Sequence, residues 1–240
     1  MIFAAGLGSR LKEFTHAIPK ALVPVGGKPM LGILIDHLEA CGYDDLIVNV
    51  HHFASRIVSY IDTLDFSCSN ISISNEEDQL LDTGGGLKKA AWFFNDGKPF
   101  LAQNVDVLCD VDYASMTEEL DRKQALAVLA VSHRETSRYL LFDTEMRLCG
   151  WENCKTGEKK IAVQTDKELQ QFAFSGIQVF DPGIFDKIRF SGKFSLIDLY
   201  LDLAEQNLII GYQHDPAGWV DMGSPENLIK AETLIRTKKL

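Results

Sequence analysis

The sequence predicts an α/β fold, doubly wound on a mixed and mostly parallel sheet in three α/β/α layers. Two observations carry that expectation. Through the first half of the chain, short apolar runs alternate with segments of helical period. The first apolar run also enters a glycine-rich turn, as a strand feeding a helix does. A β-α-β-α order places successive strands parallel, with right-handed crossovers, which makes the expected architecture Rossmann-like.

Taken in order, residues 1–5 read as a strand that ends in Gly6-Leu7-Gly8-Ser9-Arg10. Residues 29–41 set Leu31, Leu34, Ile35 and Leu38 at helical spacing, and Gly42 stands where a left-handed C-cap is usual. Residues 45–50 form a buried strand. Residues 54–63 form a helix with Ile57, Val58 and Ile61 on one face, and 71–74 alternate like a half-buried strand. Gly84-Gly85-Gly86 leads into a helix over 87–94, and 99–103 is a strand ending at Asn104-Val105-Asp106. The second half is more mixed. Strands are expected at 125–132, 139–142, 172–180 and 208–213, a polar hairpin or loop with a Thr-Gly turn at 151–160, and a helix at 195–206. Trp219-Val220-Asp221 precedes a turn, after which Ser224 as N-cap and Pro225 at the first helical position open a last helix through Ile235. With no repeat, linker or low-complexity tract, residues 1–240 are expected to be a single domain, with halves at 1–112 and 113–240.

Composition narrows the function. The chain has 240 residues, 46% hydrophobic and 24% charged, enough to bury a sizeable core. A net charge of −10 argues against a nucleic-acid groove, which needs a basic face. A small anion needs only a few cations and backbone N–H groups, so it stays possible. No run has the roughly 18 apolar residues of a membrane span, and residues 1–5 lack the basic start of a signal peptide. The five cysteines, Cys41, Cys68, Cys109, Cys149 and Cys154, show no Cys-x-x-Cys spacing and are expected to be reduced thiols of a cytoplasmic protein.

Three stretches carry chemistry. In the opening turn Gly6, Gly8 and Leu11 occupy the places of a dinucleotide fingerprint, and Leu11 breaks it. Arg10, Lys12 and Lys20 instead bring three cations to the turn, and Pro19 fixes the backbone before Lys20. A triphosphate wants those cations, but a tight strand–helix turn with solvated charges fits the same letters. Asp106 lies at the carboxyl end of a central strand, where open parallel sheets bind ligands, and Asp221 is a second acidic candidate. Carboxylates beside a phosphate site call for an intervening Mg²⁺, although a lone Asp also serves as a cap, and Asp110 and Asp112 lie close by. Asp82-Thr83-Gly84-Gly85-Gly86 brings backbone and a helix N-terminus near a flat ligand, or simply forms a pliant connection. His51-His52, Trp92-Phe93-Phe94 and Lys238-Lys239 read as structural or solvated.

The ordered motifs AAGLGSR, PKALVPVGGKPML, LDTGGGLKKA, NVDV, FSGIQVF and WVDMGSPENLIKAE resemble those of the sugar-1-phosphate nucleotidyltransferases over nearly the whole chain. The likeness is to the short members, mannose-1-phosphate guanylyltransferase-like and N-acetylmuramate-1-phosphate uridylyltransferase-like. It implies the nucleotide-diphospho-sugar transferase fold, with a nucleotide-binding half at 1–112 and a sugar-binding half at 113–240, and Mg²⁺-dependent formation of an NDP-sugar and pyrophosphate from an NTP and a sugar 1-phosphate. A cytoplasmic supply of cell-envelope polysaccharide would follow. Arg10 and Lys20 would be catalytic. Ala5, Gly6, Gly8, Ser9, Arg10, Lys20, Glu77, Asp82, Gly84, Gly85 and Asn104 would bind the nucleotide. Asn104, Glu152, Ser175 and Gly176 would bind the sugar phosphate, and Asp106 and Asp221 would hold Mg²⁺. The chain departs from the family in having Val105 where Gly is commoner, and in lacking a clean Glu-Lys pair for the sugar phosphate, for which Glu152, Lys155, Lys159 and Lys160 are the stand-ins. Members usually carry two or three residues ahead of the first Ile, so a short stretch before Met1 is expected. Against this stand a non-catalytic nucleotide-sugar sensor of the same fold, a cytidylyltransferase for a non-sugar phosphate, and a nicotinamide or flavin oxidoreductase.

Overall fold

The computed structural model describes residues 1–11, 15–64 and 70–238. Lys12, Cys68 and Lys239 lie outside the described residues. The chain divides into two compact units that interleave along the sequence. One comprises 1–82, 103–110 and 218–240, and the other 83–102 and 111–217.

The first unit holds the strands β1 (Ile2–Phe3), β4 (Asp45–Val50) and β5 (Asn70–Asn75), with the last residues of β6 (Phe100–Asn104). All are parallel: Ile2 lies opposite Val48 on one side and Gln103 on the other, and Val48 lies opposite Ile73. The crossovers are helices α1 (Met30–Ala40) and α2 (Ala54–Asp62). Met30, Leu31, Leu34, Ile35 and Leu38 of α1 are buried, the stripe that its period predicts. Gly42 ends α1 with φ +86°, its N–H donating to the Glu39 carbonyl at 2.9 Å. Two small ladders complete the unit, β2 (Pro24–Val25) with β3 (Lys28–Pro29), and β7 (Val107–Cys109) with β14 (Trp219–Asp221). The last helix, α6 (Pro225–Lys238), follows β14.

In the second unit β12 (Gln170–Phe180) runs antiparallel to both β8 (Ala127–Ser132) and β9 (Arg138–Phe142). β9 pairs with β10 (Leu148–Asn153), and β10 with β11 (Glu158–Ile161), both antiparallel. β13 (Ile209–Gln213) is parallel to β8. Helices α4 (Tyr113–Lys123) and α5 (Leu196–Ala204) belong here, as does α3 (Asp82–Lys89) from Thr83 onward. The α/β class holds, with a mixed sheet and helices on both sides of it.

Four details differ from expectation. The first strand covers only residues 2 and 3. α3 covers 82–89 rather than 87–94, so the three glycines lie within it, and at Gly84 there is no room for a side chain. A Cβ on Gly84 would come within 2.5 Å of the Phe194 ring and 2.9 Å of the Ser195 carbonyl. Residues 113–123, not assigned above, form α4, capped by Asp112, which accepts the Ser115 N–H at 3.0 Å, and packed through Met116 and Leu120. Trp219, Val220 and Asp221, given no element above, form a strand that ends just before the expected turn.

Candidate active site

Arg10, Lys20, Asp106 and Asp221, all in the first unit, gather at one end of the β7–β14 ladder. Asp106 sits in the tight connection between β6 and β7, and Asp221 ends β14 opposite Val107. One register therefore brings the two acidic positions together, and the Met222 N–H secures it by donating to the Asp106 carbonyl at 2.7 Å. Beneath the ladder lies an apolar cluster of Leu11, Val23, Met30, Leu108, Val220 and Met222. Fully burying a side chain such as Leu11 is worth about 1.5–3 kcal/mol. Leu11 also closes the 3-10 turn that carries Arg10, its N–H donating to the Gly8 carbonyl at 2.9 Å. Burying Leu11 thus seats Arg10.

The glycine turn is shaped for the same purpose. Gly8 has φ +66°, and a Cβ there would lie 2.8 Å from Thr15 Cγ2 and 3.0 Å from Lys20 Cβ. The missing side chain lets the turn lie against Lys20. Gly6 is exposed with open space around it, Ala5 is buried, and Ser9 opens the 3-10 turn. Lys20 follows Pro19, whose φ is −64°.

Four charges meet here. Lys20 Nζ donates to Asp106 Oδ2. Arg10 donates to both oxygens of Asp221, at 2.7 and 3.2 Å, and its Nη2 lies 3.6 Å from Asp106 Oδ2. The Asp221 hydrogen bond pushes the Arg10 pKa up. Burial alone would raise the Asp221 carboxyl, but the hydrogen bond and charge of Arg10, with the Gly223 N–H at 2.8 Å, hold it below the ordinary carboxylate value. The formal charges of these four groups cancel.

The two carboxylates converge on a single guanidinium, and among the described residues no third His, Cys, Asp or Glu joins them. Two hard oxygen ligands in this arrangement fit Mg²⁺, which keeps waters and takes phosphate oxygens rather than filling an all-protein cage.

Sequence reasoning missed the residues that seat these groups. Gly223 lies so close to Arg10 that a Cβ would stand 2.7 Å from the guanidinium carbon and 2.6 Å from Asp221 Oδ1. Asn227 Nδ2 holds the Asp221 carbonyl at 2.7 Å. Behind the turn, buried Asn49 accepts the Ala4 N–H at 2.7 Å and donates to the fully buried Glu76 carboxylate, also at 2.7 Å. Glu76 also accepts the Leu81 N–H at 3.1 Å, and its carbonyl meets His51 Nδ1 at 2.7 Å. An Asn at the end of one strand and a Glu after the next were the available signal.

The other expected residues are placed as follows. Glu77 is exposed and bonded to Asn75. Asp82 starts α3 with φ +61°, and Asn104 ends β6 opposite Phe3. In the second unit, the Gly84 and Gly85 N–H groups donate to the Phe194 carbonyl at 3.0 and 3.2 Å. Glu152 accepts from Gln171 Nε2 and lies 3.7 Å from Lys159. Ser175 is buried with its hydroxyl 2.8 Å from His214 Nε2, and Gly176 has φ +76°.

Comparison with known proteins places these features in context. A family model described as nucleotidyl transferase matches residues 1–238. An N-acetylmuramate alpha-1-phosphate uridylyltransferase of Caulobacter vibrioides is 29% identical over 97% of this chain and 94% of its own. A UTP–glucose-1-phosphate uridylyltransferase of Synechocystis is 31% identical, covering 93% of this chain and 59% of its own. Among solved structures, HddC from Yersinia pseudotuberculosis complexed with GMP-PN superposes with a TM-score of 0.74 at 23% identity, over 97% of this chain and 96% of that one, a likeness of fold.

Proposed function

The chain belongs to the nucleotidyl transferase family, and on that premise we propose that it joins an NTP to a sugar 1-phosphate, releasing pyrophosphate and an NDP-sugar. Uridylyl or guanylyl transfer is the form its relatives suggest. The observation that carries this reading is the convergence of Arg10, Lys20, Asp106 and Asp221 beside the glycine turn.

A sugar phosphate is already a nucleophile at neutral pH, so no general base is needed. The obstacle is the approach of two anions, about 4 kcal/mol for unit charges 4 Å apart at an effective dielectric near 20. Arg10 and Lys20 offset that repulsion and stabilise charge on the α-phosphate and the leaving pyrophosphate. The Gly6–Gly8 turn lets backbone approach the phosphates. Asp106 and Asp221 would hold Mg²⁺, which when bound would neutralise phosphate oxygens. Catalysis is then mostly positioning for in-line attack. The free thiols of Cys41, Cys109, Cys149 and Cys154 support a cytoplasmic setting, and no described helix is long and apolar enough to cross a membrane.

The test is pyrophosphate release from each common NTP against a panel of sugar 1-phosphates with Mg²⁺. Turnover that disappears in Asp106→Asn while the protein stays folded supports the reading. No turnover with any pair, or Asp106→Asn retaining near-normal release, sinks it.

A further inference from the structure

One peptide unit marks the point where β1 gives way to the glycine turn. β1 ends at Phe3, opposite Asn49 of β4 on one side and Asn104 of β6 on the other. The carbonyl of the Phe3–Ala4 peptide accepts the Val105 N–H at 3.1 Å, one residue before Asp106. The N–H of the same peptide, on buried Ala4, donates to a side chain, Asn49 Oδ1, at 2.7 Å.

Asn49 carries the link onward. A backbone N–H can only donate, so the oxygen of the Asn49 amide faces Ala4 and its nitrogen is left to donate. Nδ2 reaches Glu76 Oε1 at 2.7 Å, and Glu76 Oε2 accepts the Leu81 N–H at 3.1 Å. The Val105 N–H, the Ala4 N–H and the Asn49 amide therefore run head to tail toward one carboxyl group, the order in which hydrogen bonds polarise and strengthen one another. The main chain of Glu76 is engaged as well. Its N–H donates to the Val50 carbonyl at 2.7 Å, and its carbonyl accepts the Gln79 N–H at 3.0 Å and lies 2.7 Å from His51 Nδ1. Residues 76–81 are thus fastened to the end of β4, with Glu77 exposed among them. All these residues belong to the first unit. Packing alone does not ask for glutamate at position 76. An amide there has a single oxygen and could accept from Asn49 or from Leu81, whereas a carboxyl group accepts from both.

We propose that Asn49 and Glu76 are positioning residues for the nucleoside triphosphate. They fix residues 76–81, which would border the base, against the one peptide from which the glycine turn and the Asp106 connection both extend. The inference rests on the reading of the chain as a nucleotidyltransferase and adds to it two buried residues that touch no substrate. Through them the wall for the base and the turn for the phosphates are held as one piece. Loosening either residue lowers affinity for the triphosphate and spares the sugar 1-phosphate.

The experiment uses the full chain, the variants Asn49→Ala and Glu76→Gln, and their double variant. Leu120→Ala, a core truncation in the second unit, controls for lost stability alone. Calorimetry with Mg²⁺ gives Kd for UTP, GTP, CTP, ATP and dTTP. Pyrophosphate release gives KM for the sugar 1-phosphate at saturating triphosphate. Each single variant should weaken the preferred triphosphate about tenfold, the effect of about one hydrogen bond. The sugar 1-phosphate KM should stay within about twofold. The double variant should bind no worse than the weaker single one, because links of one chain are not additive. Leu120→Ala should melt earlier and keep both constants. Glu76→Gln preserves side-chain volume and carries the comparison if Asn49→Ala does not fold. Triphosphate affinity unchanged in the single variants would overturn the inference and, with turnover present, leave the enzyme reading intact. So would additive losses in the double variant, or equal losses for both substrates. Triphosphate binding that depends on Asn49 and Glu76, without turnover of any sugar 1-phosphate, would keep the inference and sink the enzyme reading. No triphosphate bound by the unmodified chain would overturn both.

Discussion

Gly223→Ala separates the seating of Arg10 from the stability of the fold. The new Cβ would stand 2.7 Å from Arg10 Cζ and nearer still to Nη2, where ordinary contact begins at 3.4 Å. The guanidinium must retreat by about 0.7 Å or more, and a misplacement near 1 Å can cost about 100-fold in rate. That corresponds to about 2.7 kcal/mol of transition-state stabilisation. The fold loses far less. The groups that must yield are the ends of two movable side chains, and the Arg10 side chain is 59% exposed, so its pair with Asp221 is worth at most about 1 kcal/mol. For a chain of this length that is a fall in Tm of about 2–4 °C. Steady-state pyrophosphate release and a thermal melt on the same preparation make the test. A variant within threefold of wild-type kcat/KM would refute the claim that Arg10 must occupy this position. A variant that melts more than about 10 °C early would show that Gly223 serves the fold.

Three further outcomes follow from the packing. Glu76→Ala should cost about 2–4 kcal/mol in chemical denaturation, because it strips the buried Asn49 amide and the Leu81 N–H of their acceptor; Glu76→Gln should recover part of that loss. Gly84→Ala should lower Tm even though alanine favours a helix by about 1 kcal/mol, since crowding against Phe194 and Ser195 costs about 1–3 kcal/mol; a rise in Tm would contradict the close approach. Asp143 should make the protein acid-sensitive. Burial alone would raise its carboxyl, but the N–H groups of Arg147 and Glu145, together with Lys167, hold it below the ordinary value. Its stabilisation is therefore complete above the ordinary carboxylate pKa and is lost as pH falls through the lower, folded value. Urea midpoints should drop for the native chain as pH goes from about 5 toward 3, and drop less for Asp143→Asn.

Local pattern was enough for much of the fold. The parallel strands at 45–50 and 70–75 and the helices at 30–40 and 54–62 follow from apolar period and from the Gly42 stop, because each is decided by residues within one or two turns. Helix 113–123 is equally legible in the Asp112 cap and the Met116 and Leu120 spacing. The helical state of Gly84 to Gly86 was not legible. Glycine disfavours a helix by propensity, and the contact that excludes a side chain at Gly84, with Phe194, lies over 100 residues away in the chain.

The same distinction runs through the site. The four charged groups announce themselves as letters, since cations beside a glycine turn and acids after strands are visible in one dimension. Their positions are not, because each is set by a group with no chemistry of its own to advertise. Gly223 is read as a turn residue, yet its missing side chain is the space Arg10 occupies. Leu11 looks like damage to a dinucleotide fingerprint, yet as a buried apolar residue it fixes the turn that presents Arg10. Asn49 and Glu76 look like ordinary polar ends of strands, yet buried together they tie the Ala4 amide to the segment that leads toward residue 82. A charge can be guessed from its own side chain. The precision with which it is held depends on neighbours chosen for volume or for a single hydrogen bond, and those are specified only once the chain has folded.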